Sequence, residues 1–291
     1  MELFVQATVN GVITAGLYAL IAYGVLILLG ILNIVNFAHG EFVMLGAYLA
    51  YWAFTATGID PLIMALPVAI GMFLFGAAIY QFGVRPVLNE PAVNQLALTY
   101  GISLTLQNLA LIFWHSDLRS INVPYADISV KLGIVNVGLM RLAAFLIACV
   151  AIGALQAVTY YTRIGKALQA VSQNKTASAL IGINVNFIHL TTFGIAAAVA
   201  GIAGTVVSVL MYTYPFVGVP LVLKAFTIVI LGGLGSVLGT LLASLVLGLS
   251  ESYVGTFVPD GSGWSEGVTF LLIIIALLVR PQGMFGVRDH G

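Results

Sequence analysis

The sequence predicts an all-α, polytopic membrane protein, one bundle over residues 1–291 with about eight spans, some broken or re-entrant. Three observations carry this. Hydrophobic residues make up 61% of the 291 and charged residues only 7%, whereas soluble domains are about 25% charged. Apolar runs long enough to span, about 20 residues each, recur along the whole chain. These runs are apolar on every face, whereas barrel strands alternate apolar and polar residues.

The first span is expected from about Val9 to Leu32, with Gly11, Gly16, Gly24 and Gly30 giving it thin faces for close helix contact. It is interrupted by Asn33-Ile34-Val35-Asn36-Phe37-Ala38-His39-Gly40-Glu41, which lies between the uncharged runs Gly11–Leu32 and Phe42–Thr57. Ionisable groups at membrane depth are costly and usually face a protein interior or a solute path. The competing reading is a short polar turn at the membrane surface. Asn33, Asn36, His39 and Glu41 are therefore candidate translocation-path residues. A pairing of Glu41 with His39 or a backbone amide would favour its charged form, and desolvation its neutral form; the sequence leaves both open.

A second span runs to Thr57, and Gly58 with Asp60-Pro61 turns the chain. A third covers about Leu62 to Val84 and closes at Arg85-Pro86. The fourth, about Asn94 to Trp114, carries Thr99, Ser103 and Gln107 at i, i+4, i+8, hence on one face. That face must point into the bundle, as interhelical glue first and as path lining second. From His115 to Gly138 the chain is polar, with Pro124 and Asp127, and the alternation from Ile128 to Val135 suggests an extended segment or small hairpin. A fifth span follows from about Leu142 to Tyr161.

Residues 162–186 form a polar, basic loop. Arg163, Lys166 and Lys175 are basic and no acid accompanies them, so the loop is expected to be cytoplasmic. The tail from Arg280 through Arg288 is expected on the same side. Ala167 to Ile181 reads as one helix stopped by Gly182. A sixth span runs from about Phe187 to Met211, closed by aromatics at Tyr212 and Tyr214. The next apolar stretch, Leu221 to Val258, is too long for one span and breaks at Leu231-Gly232-Gly233-Leu234-Gly235-Ser236. Gly235, Gly239 and Ala243 then form a small-xxx-small ladder for helix packing. The last span is expected over about Val268 to Val279. Each half thus holds an interrupted apolar hairpin, Asn33–Glu41 early and Gly232–Ser236 late. Such pairs point to an inverted-repeat transporter with a midplane path; the alternative is two unrelated glycine breaks.

Other chemistries find no support. The net charge is zero, which gives no hint of nucleic acid. The single Cys149 excludes an internal disulfide and reads as a packing residue. The first apolar run is too long for a cleavable signal peptide and has no basic stretch before it. There is no Gly-x-x-x-x-Gly-Lys-Ser/Thr loop for ATP phosphates. His39-Gly40-Glu41 is not His-Glu-x-x-His, and His115, His189 and His290 form no ligand cluster, so neither a metal nor a catalytic set is expected.

Several stretches, in order along nearly the entire chain, resemble the permeases of branched-chain amino acid ABC transporters, of the Liv H type. They are Tyr18-Ala19-Leu20, Asn36–Glu41 with Gly46-Ala47-Tyr48, Arg85-Pro86, Gly165-Lys166-Ala167 with Ala177 and Gly182-Ile183-Asn184, Lys224–Thr227, Gly232–Ser236, and Arg280-Pro281-Gln282-Gly283. One departure is Asn174 after Gln173, where the family often has an acid. The resemblance implies an importer in the inner membrane built from several chains. A second permease subunit would complete the path as a heterodimer, two cytoplasmic subunits would bind ATP and Mg, and an extracytoplasmic binding protein would deliver the solute. Arg163, Gly165, Lys166, Ala177 and Gly182 would then lie in the ATPase-docking loop, the candidate coupling loop of residues 162–186, with no cofactor in this chain. Related permeases carry urea or amides, which leaves the solute open. A reading of another class is an ion-coupled secondary carrier using Glu41.

Overall fold

The computed structural model describes residues 1–123, 125, 128–279 and 283–285. Pro124 and Asp127 of the extended connection, Arg280–Gln282 of the Arg-Pro-Gln-Gly motif and Arg288 of the tail lie outside the described residues. Eleven α-helices and one β-hairpin appear among the described residues. Six helical stretches are long and apolar enough to cross a membrane, and shorter apolar helices complete the bundle.

Helix α1 (Glu2–Leu32) ends where Asn33 adopts a left-handed conformation, φ 57° and ψ 36°. Asparagine tolerates that region better than most residues, because its short polar side chain satisfies local backbone groups. The chain then doubles back along α1. Asn36 accepts a hydrogen bond from the Ala38 amide at 3.0 Å, a local turn that launches α2 (His39–Thr57). Because His39 sits against Ile21 and Gly24, α2 starts beside the middle of α1 and not at its end.

Helix α3 (Ala65–Ile79) continues through a π-helical turn, Tyr80–Val84, and a short 3-10 turn, Arg85–Val87. Helix α4 (Ala92–Trp114) follows. The expected hairpin is present: β1 (Ser129–Leu132) pairs antiparallel with β2 (Val135–Gly138), Ser129 opposite Gly138. Gln6 of α1 straps it down, bonding both the carbonyl and the amide of Asn136 at 2.9 and 3.0 Å. Helix α5 (Leu139–Tyr161) lies against α1.

The single helix expected from Ala167 to Ile181 is instead two, α6 (Arg163–Gln173) and α7 (Lys175–Leu180). Asn174 breaks it. Its backbone is extended, φ −156°, and its side-chain oxygen accepts from the Ala177 amide at 2.9 Å. An asparagine offered an orphan helix amide competes with the helix it would otherwise continue. Thr162 caps α6 in the same way on Gly165, at 3.0 Å. Gly182 follows α7 with φ 88°.

Helix α8 (Val185–Leu210) opens at the coupling loop, where Ile188 packs with Leu168 and Val171 and against Ile31 near the end of α1. α1 and α8 therefore run in opposite directions. After α8 the chain again doubles back, and α9 (Gly218–Gly232) begins against α2: a Cβ built on Gly40 would lie 2.2 Å from the Gly218 carbonyl oxygen. Helices α10 (Val237–Phe257) and α11 (Ser265–Val279) complete the bundle. α1 packs mainly on α10, and α8 mainly on α3. α2 rests on α8, as α9 rests on α1. The order α1–α2–α3 is thus repeated upside down as α8–α9–α10.

This corrects the pairing of the two interruptions. The counterpart of Asn33–Ala38 is the stretch from Met211 to Val217, between α8 and α9. Gly232–Ser236 is a turn at the far end of α9. The two equivalent breaks share no sequence beyond a glycine at the start of each following helix, so their equivalence is visible only in the packing.

Candidate functional site

The polar break is built from three directions. Asn36, His39 and Glu41 are buried, at 2%, 0% and 0% exposure. One His39 ring nitrogen, Nε2, lies 3.2 Å from the Ile21 carbonyl. Glu41 is met by α4: Gln107 donates to its Oε1 at 2.7 Å and Ser103 at 3.2 Å. Thr99, one turn further along the same face, donates to the Val35 carbonyl at 3.1 Å. The i, i+4, i+8 face of α4 is therefore the glue that holds the break. Asn33 differs from the other three, for its side chain is exposed and it serves the left-handed turn.

Glycines bring the backbones into contact. α2 presses on α8 through Gly46, Gly201 and Gly204; a Cβ on Gly204 would meet the Val43 carbonyl oxygen at 2.3 Å. Without a strong hydrophobic drive between helices in lipid, such close approach and the van der Waals contact it permits hold the bundle. In the late turn the ladder divides. Gly239 packs, its Cβ position lying 2.0 Å from the Gly232 carbonyl oxygen, and Ala243 is fully buried. Gly235 has open space around it and serves its φ of 83°. Gly233, with φ 97°, ends α9, and the Met284 amide bonds the Leu231 carbonyl at 2.8 Å.

A second polar cluster escaped the sequence reading. Lys224 of α9 forms an ion pair with Glu251 of α10, Nζ to Oε1 2.9 Å, with side chains only 12% and 9% exposed. Lys224 Nζ also donates to the Tyr18 hydroxyl at 2.8 Å. That hydroxyl donates to Glu251 Oε2 at 2.6 Å, and Thr269 of α11 donates to Oε1 at 3.1 Å. Four helices meet there. A buried charge is tolerated when paired and hydrogen-bonded. Each charge sits alone in an apolar run, which flags it, yet the partners are far apart in sequence.

Lys224 and Tyr18 line a cavity of about 590 Å³, with Ser120, Asn122, Tyr212 and Tyr214 among its polar walls. Its rim is stitched by the backbone bridge between Arg119 and Thr213, amide to carbonyl 3.0 and 2.8 Å. It opens on the side opposite the coupling loop, where α8 ends. Asn36, His39 and Glu41 do not line it.

On the coupling-loop side, Gly165 lets α6 fold back on α5: a Cβ there would lie 2.3 Å from the Val158 and Thr159 carbonyls. Leu168 and Val171 anchor α6 on α8. Arg163, Lys166 and Ala177 are exposed, and so are Leu180 and Ile181, at 85% and 75%.

Residues 7–277 match a family model described as the permease component of branched-chain amino acid transport systems. The chain is 32% identical to the high-affinity branched-chain amino acid transport permease BraD of Pseudomonas aeruginosa, over 97% of this chain and 96% of that one. It is 31% identical to the corresponding permease LivH of Escherichia coli K12, with the same coverage. Among solved structures it is similar to a chain of PsaBC from Streptococcus pneumoniae in complex with Fab, with TM-score 0.53 and 14% identity over 95% of this chain and 92% of that chain. That likeness speaks for the fold alone.

Proposed function

We propose a function on one premise: this chain belongs to the branched-chain amino acid transport permease family. It is a multi-pass permease of an ABC transporter in the inner membrane, a transporter subunit in a family whose importers imply ATPase and binding-protein partners. Our reading of its task is translocation of branched-chain amino acids or similar small polar solutes. A second permease subunit completes the path as a heterodimer. Two cytoplasmic subunits hydrolyse ATP with Mg and dock on α6 and α7. An extracytoplasmic binding protein loads the solute. The single observation behind this reading is the match over residues 7–277.

The geometry is compatible with such a task. Two helices, α2 and α9, start beside each other at Gly40 and Gly218. Non-helical backbone at membrane depth is tolerated only beside protein or a water-filled path. Asn36, His39 and Glu41 pin one break in our reading, and they reach the path when the bundle rearranges. Exposed Leu180 and Ile181, in the same loop as the exposed Arg163, Lys166 and Lys175, give the docking loop both apolar and basic surface.

Reconstitution tests this. Vesicles holding the chain with its permease partner, ATPase and binding protein should take up leucine only with ATP. Uptake by the chain alone under an ion gradient would favour the secondary-carrier reading in which Glu41 titrates. ATP-driven uptake of urea or amides without leucine would assign the related solute class.

A further inference from the structure

The Lys224 cluster has a use beyond holding four helices together. Its cavity lies within the 300–1,000 Å³ typical of small-ligand sites. It joins apolar walls, from Ile121, Val209, Leu210, Val217 and Leu221, to a cation at Lys224. The wall also carries the start of α9, whose helix dipole presents its positive end there. Half-helix N-termini near the membrane midplane favour anionic groups of a solute.

We infer that this cavity is a reception site for a zwitterionic amino acid, with Lys224 Nζ taking the solute carboxylate and the apolar wall taking an aliphatic side chain. The inference rests on the importer reading above and names a contact within it. The Tyr18 hydroxyl, 2.8 Å from Nζ, is the neutral partner that yields when a carboxylate arrives. A carboxylate brings the ammonium a full opposite charge, a Coulomb attraction that the hydroxyl lacks. Glu251 is a positioning residue. It holds Nζ at 2.9 Å and is itself held by Tyr18 and Thr269. Lys224 and Glu251 together are neutral, and so is a zwitterion, so loading adds no net charge at membrane depth. A simple anion would add one, and a solute without a carboxylate would forgo the cation.

Thiol protection in the complete transporter tests this. In a Cys149→Ser background, Ser120→Cys puts a reactive thiol on the cavity wall. Leucine is expected to slow its labelling by an aqueous maleimide, and leucinamide, which lacks the carboxylate, is not. Lys224→Gln should raise the half-protecting leucine concentration about tenfold or more, the loss of a charged hydrogen bond. Lys224→Arg should stay near the original. Lys224→Met with Glu251→Leu removes the pair while keeping an apolar filling. It should still assemble with its partners, yet give no protection. Equal protection by leucinamide, or leucine protection unchanged in Lys224→Gln or in the double variant, would overturn the site. The leucinamide comparison needs no Lys224 variant, so misfolding of one cannot shelter the idea. ATP-driven leucine uptake in the same vesicles reports the importer reading separately. Protection without uptake would sink that reading and leave the site standing, and uptake without protection would sink the site.

Discussion

Gly40 and Gly218 lie at the starts of α2 and α9, back to back, so close that a Cβ on Gly218 would lie 2.4 Å from the Gly40 carbonyl oxygen. This contact joins the two inverted halves at their centre. The two nearest atoms met from either side are backbone, which cannot rotate away. Gly40→Ala or Gly218→Ala should therefore force α2 and α9 apart, at an overpacking cost of about 1–3 kcal/mol or more. A thermal-stability scan of the purified complex should show a lowered Tm for either variant, and unchanged Tm in both would refute the contact.

Gly239 and Gly235 should separate in the same assay. Gly239→Leu drives a side chain into the Gly232 carbonyl, and assembly with the partner subunits should fall sharply. Gly235→Ala meets no atom and costs only the left-handed backbone, about 1–2 kcal/mol. Wild-type assembly in Gly239→Leu would mean that the α9–α10 turn opens without consequence.

Glu41 is joined to α4 by Ser103 and Gln107. Glu41→Ala strands the buried Ser103 hydroxyl proton and leaves the Gln107 amide only its 3.3 Å bond to Ser103, and should destabilise by about 1–3 kcal/mol or more. Glu41→Gln keeps one acceptor oxygen and the shape, so the protein should fold. Its uptake rate then isolates the role of charge. Cysteines at positions 36, 39 and 41, in the Cys149→Ser background, should be labelled from water in at least one transport state. No labelling in any state would leave these residues a structural role alone.

The coupling loop predicts a split between fold and coupling. Leu180→Asp with Ile181→Asp changes two exposed side chains, so insertion and stability should hold while solute-stimulated ATP hydrolysis falls about tenfold or more, as for central apolar contacts of an interface. Leu168→Pro removes a hydrogen bond inside α6, at about 3 kcal/mol, and should lower both. Full ATPase stimulation in the Asp variant would place docking elsewhere.

Tyr125 donates a hydrogen bond to Asp60, joining the connection between α4 and α5 to the turn after α2. Burial, then that hydrogen bond and the Asp60 charge, push its phenol up to about 12 from 10.0. A group whose pKa is raised by folding stabilises fully below its unfolded pKa and loses that contribution as pH rises through the folded value. The stability gap between wild type and Tyr125→Phe should accordingly be constant below pH 10 and shrink between pH 10 and about 12. A gap unchanged over that window would show that the hydroxyl does not couple to folding.

Much of this protein is legible residue by residue. Span-length apolar runs, the hairpin at Ser129–Gly138, the inward polar face Thr99, Ser103, Gln107 and the basic loop after Tyr161 all follow from local composition and period, which report the surroundings of each residue. Tertiary structure alone decided the partners. Glu41 finds Ser103 and Gln107 across 62 and 66 residues, Lys224 finds Glu251 across 27, and Gly40 meets Gly218 from the opposite half. In an apolar bundle most spans are hydrophobic on nearly all sides, so the pattern that tells a soluble helix which face to bury is largely missing. What selects neighbours instead is where a glycine lets two backbones touch and where an isolated polar group finds its complement, and both are properties of two distant segments at once.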